Sequence, residues 1–362
     1  MRLASKLLLL LPFVVPAMAQ DAASQIQAKI QSTQESLRTQ PVTDPELSGL
    51  RTFAEEQLKA AAKLLNAGYV YASLENLGHA MDVLAGARCV ADHKAEITSG
   101  GFPAYDAEWQ KVSATLAASE REMRGTDWKN TPAVVRALSE TAQAQVMPLL
   151  EGGRGFATAV QPNAGLFNAG QAQGEAAFAR FCASLRFPGM ANTPPRRSWL
   201  PELLALQDQT NAAFVPPQSI KLHPRFIQLN SALKLARDLD AARFYSGALY
   251  QYLEAVLDYG MLDAVPPDAN GEAAVKTAIR NAQTKLKSSG QDDSIAQLLL
   301  ERAAAPVLQE GGAAPKADDW TSAQVIVDRV LPAYFAVLHS SPSPQAAPAK
   351  TIEITLVRWP YT

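Results

Sequence analysis

Apolar residues recur at helical spacing along almost the whole chain, and this pattern constrains the fold more than any other feature. Asp44-Pro45-Glu46 has the form of a helix start, with an N-cap residue, a proline at the first helical position and an acid in the first turn. Helical stripes follow at 47–65, 69–90, 106–124, 131–150, 172–187, 200–213, 224–240, 243–260, 271–288, 294–309 and 321–338. Clusters such as Gly100-Gly101 and Gly152-Gly153 mark predicted breaks between them. The sequence therefore predicts an all-α fold, an antiparallel helical repeat or bundle.

Internal similarity predicts that this fold contains a duplicated unit. Residues 58–74 align with 233–249 at a shift of 175, and shorter matches pair 148–153 with 306–312 and 178–185 with 333–338. The three matches occur in the same order in both halves, as expected when each unit buries its apolar face against the other. The predicted domains are an N-terminal helix and linker (20–46), a first unit (47–187), a Pro-rich connector (188–221) and a second unit (222–339).

The first two helices of each unit, at about 58–84 and 233–259, form a predicted hairpin. Small, aromatic and larger apolar residues occupy a similar series of positions in both hairpins. They are Gly68, Ser73, Leu77, Ala80 and Met81 in the first, and Tyr245, Ala248, Tyr252, Ala255 and Val256 in the second. This pattern resembles the tetratricopeptide repeat family, and the resemblance implies closely packed helix pairs and a protein-binding surface. Because no tandem 34-residue period is present, the prediction is a generic antiparallel bundle or short solenoid rather than a repeat array.

The first nineteen residues have the organisation of a secretory signal peptide. Arg2 and Lys6 precede an apolar core at 7–15, and Ala17-Met18-Ala19 fits a signal-peptidase site. The core is shorter than the roughly 20 apolar residues that span a bilayer. We therefore expect residues 1–19 to be removed and the mature chain to be a soluble periplasmic or secreted protein without a membrane span.

Composition limits the partners and the covalent chemistry. The formal net charge is −2 and only 19% of residues are charged, so no basic excess favours nucleic acid as a partner. Two cysteines, Cys89 and Cys182, form a candidate disulfide in an oxidising compartment. The alternative is that both are buried as small apolar side chains.

The C-terminal segment differs from the rest of the chain. A Pro/Ser/Ala-rich linker at 340–350 precedes an alternating stretch at 351–362, in which Ile352, Ile354 and Leu356 share one side. A single strand cannot pair its own backbone groups. Three interpretations stay open: the tail adds as a strand to a partner, it folds back over the helices, or it is disordered.

The sequence contains no recognisable catalytic or cofactor motif, and we predict no cofactor and no metal. Cys89 and His93 stand four apart, but a zinc site needs a second such pair. Tyr245, Tyr252 and Tyr259 are seven apart and share one helical stripe. They are interpreted either as core packing or as the aromatic wall of a binding groove.

Two functional hypotheses follow. The first is an exported, non-catalytic helical scaffold that binds a protein or a cell-envelope component. The alternative is a periplasmic enzyme or small-ligand-binding bundle with a pocket between its two halves. The alternative requires a cavity with converging polar groups and a residue of shifted pKa.

Overall fold

The chain is helical throughout the part that the computed structural model describes, which is residues 17–39, 42, 44–158, 161–187, 197–308 and 314–339. The all-α prediction is confirmed, and no strand occurs in these ranges. The helices are α1 (Ala17–Thr39), α2 (Ser48–Asn66), α3 (Val70–Arg124), α4 (Ala133–Thr158), α5 (Pro162–Ser184), α6 (Leu200–Ala213), α7 (His223–Ala241), α8 (Tyr245–Gly260), α9 (Ala269–Ser288), α10 (Ser294–Leu308), α11 (Ala317–Val325) and α12 (Leu331–His339). The linker and tail at 340–362 and residues 1–16 of the predicted signal peptide lie outside the described residues.

Shorter helical turns connect some of these helices. Two 3₁₀ helices, Pro45–Leu47 and Gln218–Leu222, precede α2 and α7, and a π-helical turn, Ile326–Val330, joins α11 to α12. The predicted start at Asp44 is confirmed, because its carboxylate accepts a hydrogen bond of 2.9 Å from the backbone N–H of Glu46.

The glycine cluster at 100–101 kinks a helix that was predicted to end there. α3 continues through the cluster, and Gly101 adopts φ 61° and ψ −153°. This backbone region is open essentially only to glycine. Pro103 lies in the first turn of the helical segment that follows the kink. Backbone N–H groups in a first turn have no acceptor within the helix, so proline, which lacks this N–H, is tolerated there. The predicted break is therefore a bend, and both predicted helices belong to α3.

The second predicted break, at Gly152-Gly153, lies inside α4. A Cβ atom on Gly153 would come within 2.8 Å of the carbonyl oxygen of Gly165 on α5. Glycine is needed here because the backbones of α4 and α5 approach one another closely. The helix continues through this position to Thr158.

We call α2–α5 the first half and α7–α12 the second half. The core is continuous across both, since one hydrophobic cluster contains Leu58 and Leu77 from the first half and Leu239 and Leu299 from the second. Each half begins with a helical hairpin, α2 with α3 and α7 with α8.

The turns of these two hairpins have the same geometry. Gly68 and Arg243 each have a positive φ, 83° and 63°. The next residue in each turn donates its backbone N–H back across the turn, from Tyr69 to the Leu64 carbonyl at 2.9 Å and from Phe244 to the Leu239 carbonyl at 2.8 Å. Each turn therefore starts the second helix of its hairpin in the same way.

A buried glutamate from each half caps a helix of the other half. Glu301 on α10 accepts hydrogen bonds of 2.8 Å from the backbone N–H groups of Tyr71 and Ala72 at the start of α3. Glu140 on α4 accepts one of 2.8 Å from Gly247 N–H near the start of α8. These N–H groups have no partner within their own helix, and a carboxylate there is favoured by the helix dipole.

Each glutamate is itself held by a residue one turn earlier on its own helix. Arg136 Nε donates to Glu140 at 2.6 Å, and Gln297 Nε2 donates to Glu301 at 3.0 Å. The two halves are thus joined by a reciprocal pair of buried polar contacts, and the central cavity of the molecule lies next to them.

Candidate functional site

A cavity of about 700 Å³ lies between the two halves. Helices α2, α3, α4 and α5 line it from the first half, and α7, α8 and α10 line it from the second. The polar side chains that converge on it include Glu75, His79, Thr141, Glu175, Tyr250, Glu254, Asp258 and Arg302.

One side of the cavity is occupied by a charged cluster centred on Arg302. Its Nη1 pairs with Glu254, lies 3.4 Å from the Tyr250 hydroxyl and lies 3.7 Å from Glu75 Oε1. The Tyr250 hydroxyl in turn donates to Glu75. Residues from α3, α8 and α10 therefore meet in one network that connects the halves.

The environment of this network fixes its protonation. Burial disfavours the charge on Arg302, but the carboxylates of Glu254 and Glu75 outweigh burial and raise its pKa well above the usual value. Burial, followed by the charges of the same two carboxylates, raises the pKa of Tyr250 well above its usual value. Arg302 stays cationic and Tyr250 stays a hydrogen-bond donor.

A lining residue on α4, Thr141, has an unsatisfied hydroxyl. Thr141 lines the cavity, is only 8% exposed, and its Oγ1 has no hydrogen-bond partner among the described residues. A buried polar group left unpaired costs roughly 1–3 kcal/mol. The Oγ1 atom itself is closed off from solvent, so this hydroxyl lies behind the lining of the cavity.

Two cavity carboxyls also lack a direct partner. Burial, and next the charge of Asp82, raises the pKa of Glu175 to about 8. Burial, and next the charge of Glu254, raises the pKa of Asp258 to about 6. Neither group makes a hydrogen bond or an ion pair within the described part of the chain. Their shifted pKa values record the cost of holding negative charge in this cavity.

The predicted aromatic stripe lies beside the cavity rather than in it. Tyr245, Tyr252 and Tyr259 are partly buried on α8, and none of them lines the cavity. Burial, and then the charge of Glu202 on α6, raises the pKa of Tyr252. The groove-wall interpretation therefore does not apply to this cavity.

The α8 residues that line the cavity are Tyr250, Gln251, Glu254 and Asp258, and Tyr250, Glu254 and Asp258 are spaced four apart. Sequence reasoning missed them because acids at helical spacing usually mark a solvated surface. The available signal was their position on a helix that is otherwise strongly apolar.

The candidate disulfide is not formed in this structure, and both thiols are free and buried. Cys89 on α3 faces Gly170 on α5, where an added Cβ would lie 2.6 Å from the Cys89 Cβ. Cys182 lies twelve residues further along α5, about 18 Å at the helical rise. A disulfide needs Cα atoms within about 7 Å. Burial raises the pKa of the Cys89 thiol to about 12.

Cys89 and His93, considered above as part of a metal site, line a second cavity of about 410 Å³ beneath α1. The His93 ring nitrogens lie 3.7 Å from Glu108 and 3.8 Å from Glu96. Among the described residues, no group of three or more His, Cys, Asp or Glu side chains is arranged to hold a metal ion. The described helices also include none that is long and apolar enough to cross a membrane.

The molecule is thus a two-part helical protein with a polar cavity at its centre. No protein-family model, curated protein or solved structure matches the chain. A functional proposal has to come from the cavity itself.

Proposed function

We propose that this protein binds a small molecule in the cavity between its two halves, without catalysis. The supporting observation is a cavity that residues of both halves line and on which the polar side chains of Glu75, Tyr250, Glu254 and Arg302 converge. The volume of about 700 Å³ lies in the ordinary range of small-molecule sites, roughly 300–1,000 Å³. The converging polar groups and the raised pKa of Glu175 are features that the ligand-binding alternative required.

The protein-binding scaffold stays a prediction that rests on the sequence resemblance. The cavity favours the small-ligand function over it, because a scaffold has no need of a cavity of this size lined by polar groups between its halves. For the location, we propose export to the periplasm or beyond, which the composition of residues 1–19 supports.

We also propose that the two halves arose by duplication of one helical unit. The shared turn geometry at Gly68 and Arg243 supports this, and so do the reciprocal caps made by Glu140 and Glu301. In that scheme the cavity lies where corresponding parts of the two units meet.

The ligand-binding proposal is tested by filling the cavity. Ala232 on α7 lines the cavity and is partly exposed, so Ala232→Trp should occupy space within the cavity without entering the core. Ala273 on α9 is exposed and does not line it, so Ala273→Trp is the matched control.

The measurement is native mass spectrometry of the full chain after incubation with a small-molecule extract of the producing cells. We expect wild type and Ala273→Trp to retain a small molecule and Ala232→Trp to lose it. Retention by all three variants, or by none, would contradict the proposal.

A further inference from the structure

Exposed apolar side chains are concentrated on one part of the surface. Of the eleven large apolar side chains that are exposed among the described residues, six lie between 200 and 227: Leu200, Leu204, Phe214, Val215, Ile220 and Ile227. Single exposed apolar residues are ordinary on a protein surface, whereas a cluster of them marks a place where another molecule or segment binds. The surface formed by α6, α7 and the turn between them is therefore a candidate binding surface.

A groove of about 430 Å³ lies within this surface, where the end of α6 meets the start of α7. Its apolar lining is Phe214, Phe226 and Ile227, and the two phenyl rings pack edge to face with centroids 4.9 Å apart. We call this the α6–α7 groove. Its lining on α7 runs from His223 to Lys234, which is about 17 Å at the helical rise.

An apolar strip on α6 leads from the end of α12 to this groove. Arg197, just before α6, donates a hydrogen bond of 3.1 Å from Nη2 to the carbonyl of Val337 near the end of α12. Leu200 and Leu204 are 43% and 48% exposed. They lie on the same helical face as Asn211, which lines the groove. The path along α6 from Leu200 to Asn211 is about 17 Å long at the helical rise.

The residues that follow α12 are numerous enough to reach the groove. α12 ends at His339, and the linker at 340–350 precedes the alternating tail at 351–362. In an extended conformation this linker spans up to about 36 Å, roughly twice the path along α6. Because the tail is tethered at this point, it meets the groove at an effective concentration in about the millimolar range, which a free partner would not reach.

We propose that the tail at 351–362 docks in the α6–α7 groove as an extended segment, with Ile352, Ile354 and Leu356 turned towards the apolar lining. In an extended segment these three side chains span about 13 Å, which fits the length of the lining on α7. The driving force is the removal of apolar surface from water on both sides of the contact. The proposed function concerns the central cavity and does not depend on this contact.

Hydroxyl-radical labelling of the full chain, read by mass spectrometry, tests the contact from the side of the tail. Ile354→Asp would place a carboxylate in the apolar groove, so we expect the tail to leave and the labelling of Phe214 and Ile227 to rise about twofold or more, since burial shields side chains from the solvent-borne radical. Thr355→Asp adds the same charge on the opposite side of the tail and is the matched control. Its labelling of both groove residues should equal that of wild type.

The reciprocal pair of variants carries the substitution in the described surface. Ile227→Asp should raise the labelling of Leu356 in the tail, because the lining of the groove is no longer apolar. Val265→Asp is its control, because Val265 is an exposed apolar residue that does not line the groove. The labelling of Leu356 in this control should equal that of wild type.

Equal labelling of Phe214 and Ile227 in wild type and in Ile354→Asp would overturn the proposal. If both proteins are protected and the protection is lost on dilution, a second copy of the chain covers the groove instead. If both are labelled freely, the groove is open. An equal rise in Ile354→Asp and Thr355→Asp would also overturn the proposal, because the apolar side of the tail would then not direct the contact. None of these results bears on ligand binding in the central cavity, which Ala232→Trp tests.

Discussion

At the residue scale, the buried carboxyl of Glu175 makes the folded state sensitive to pH. Its pKa is raised from the model-compound value of 4.5 to about 8, first by burial and then by Asp82. The folded protein therefore binds a proton more tightly at this site than the unfolded chain does. The stability that this proton supplies is fully present below about pH 4.5 and is lost as the pH rises through about 8.

We accordingly expect the free energy of unfolding to fall as the pH rises from 5 to 9. Glu175→Gln should remove part of this dependence and be more stable than wild type at pH 9, by roughly 1–3 kcal/mol. Urea unfolding at both pH values measures the difference, with Glu56→Gln as the exposed control. Burial also raises the pKa of Glu301 to about 8 and the pKa values of Asp82 and Asp258 to about 6, and these three groups act in the same direction and remain in both proteins. Identical pH profiles for wild type and Glu175→Gln would contradict this role.

The sequence could not have singled out Glu175 or Thr141 as site residues. Both lie on ordinary helical patterns, and only the packing of α4 and α5 against the second half determines that they line a cavity. Tyr250, Glu254 and Asp258 show the same limit. Spacing places them on one face of α8, but it does not tell which helix that face meets.

At the element scale, the kink in α3 depends on one backbone conformation. Gly101 adopts φ 61° and ψ −153°, where a side chain is strained whatever space surrounds it. Gly101→Ala should therefore lower the free energy of unfolding by about 1–3 kcal/mol. Urea unfolding measures this change.

Gly155→Ala is the matched control, because Gly155 lies in α4 and an added Cβ there meets nothing within 4 Å. Alanine is favoured over glycine inside a helix, so this variant should be as stable as wild type or more stable by up to about 1 kcal/mol. Equal effects of the two substitutions would mean that the kink carries no strain.

The same elements show how far the pattern of the sequence predicts the fold. The bounds of α6, α8 and α10 follow closely from apolar spacing and from the Pro clusters between them. The start of α5 was predicted ten residues late, at 172 instead of Pro162. Glycines such as Gly165 and Gly170 usually indicate the end of a helix. In this structure they lie inside α5 and allow its backbone to approach neighbouring helices. A Cβ on Gly170 would lie 2.5 Å from the Ala85 carbonyl oxygen.

At the scale of the whole molecule, Glu301 and Glu140 add buried polar contacts between two halves that share one hydrophobic core. Glu301→Ala would leave the buried N–H groups of Tyr71 and Ala72 without acceptors. We expect a loss of roughly 2–4 kcal/mol, since each unsatisfied buried donor costs about 1–3 kcal/mol. Glu301→Gln keeps an acceptor oxygen and should lose less, as measured by urea unfolding.

Glu140→Ala should be at least as damaging, because it leaves the guanidinium of Arg136, whose side chain is only 10% exposed, without its carboxylate. The replacement of Glu56, which is exposed on α2, by Ala provides a surface control. If Glu301→Ala were no more destabilising than the control, the reciprocal caps would not be what joins the halves.

The most direct test of the ligand site is a crystal structure of the full chain after incubation with the small-molecule extract of the producing cells. The expected result is electron density for a small molecule in the cavity between the two halves, in contact with residues such as Tyr250 and Glu254, and absent in crystals of Ala232→Trp. A central cavity that holds only water, in protein that retains a small molecule by native mass spectrometry, would contradict it.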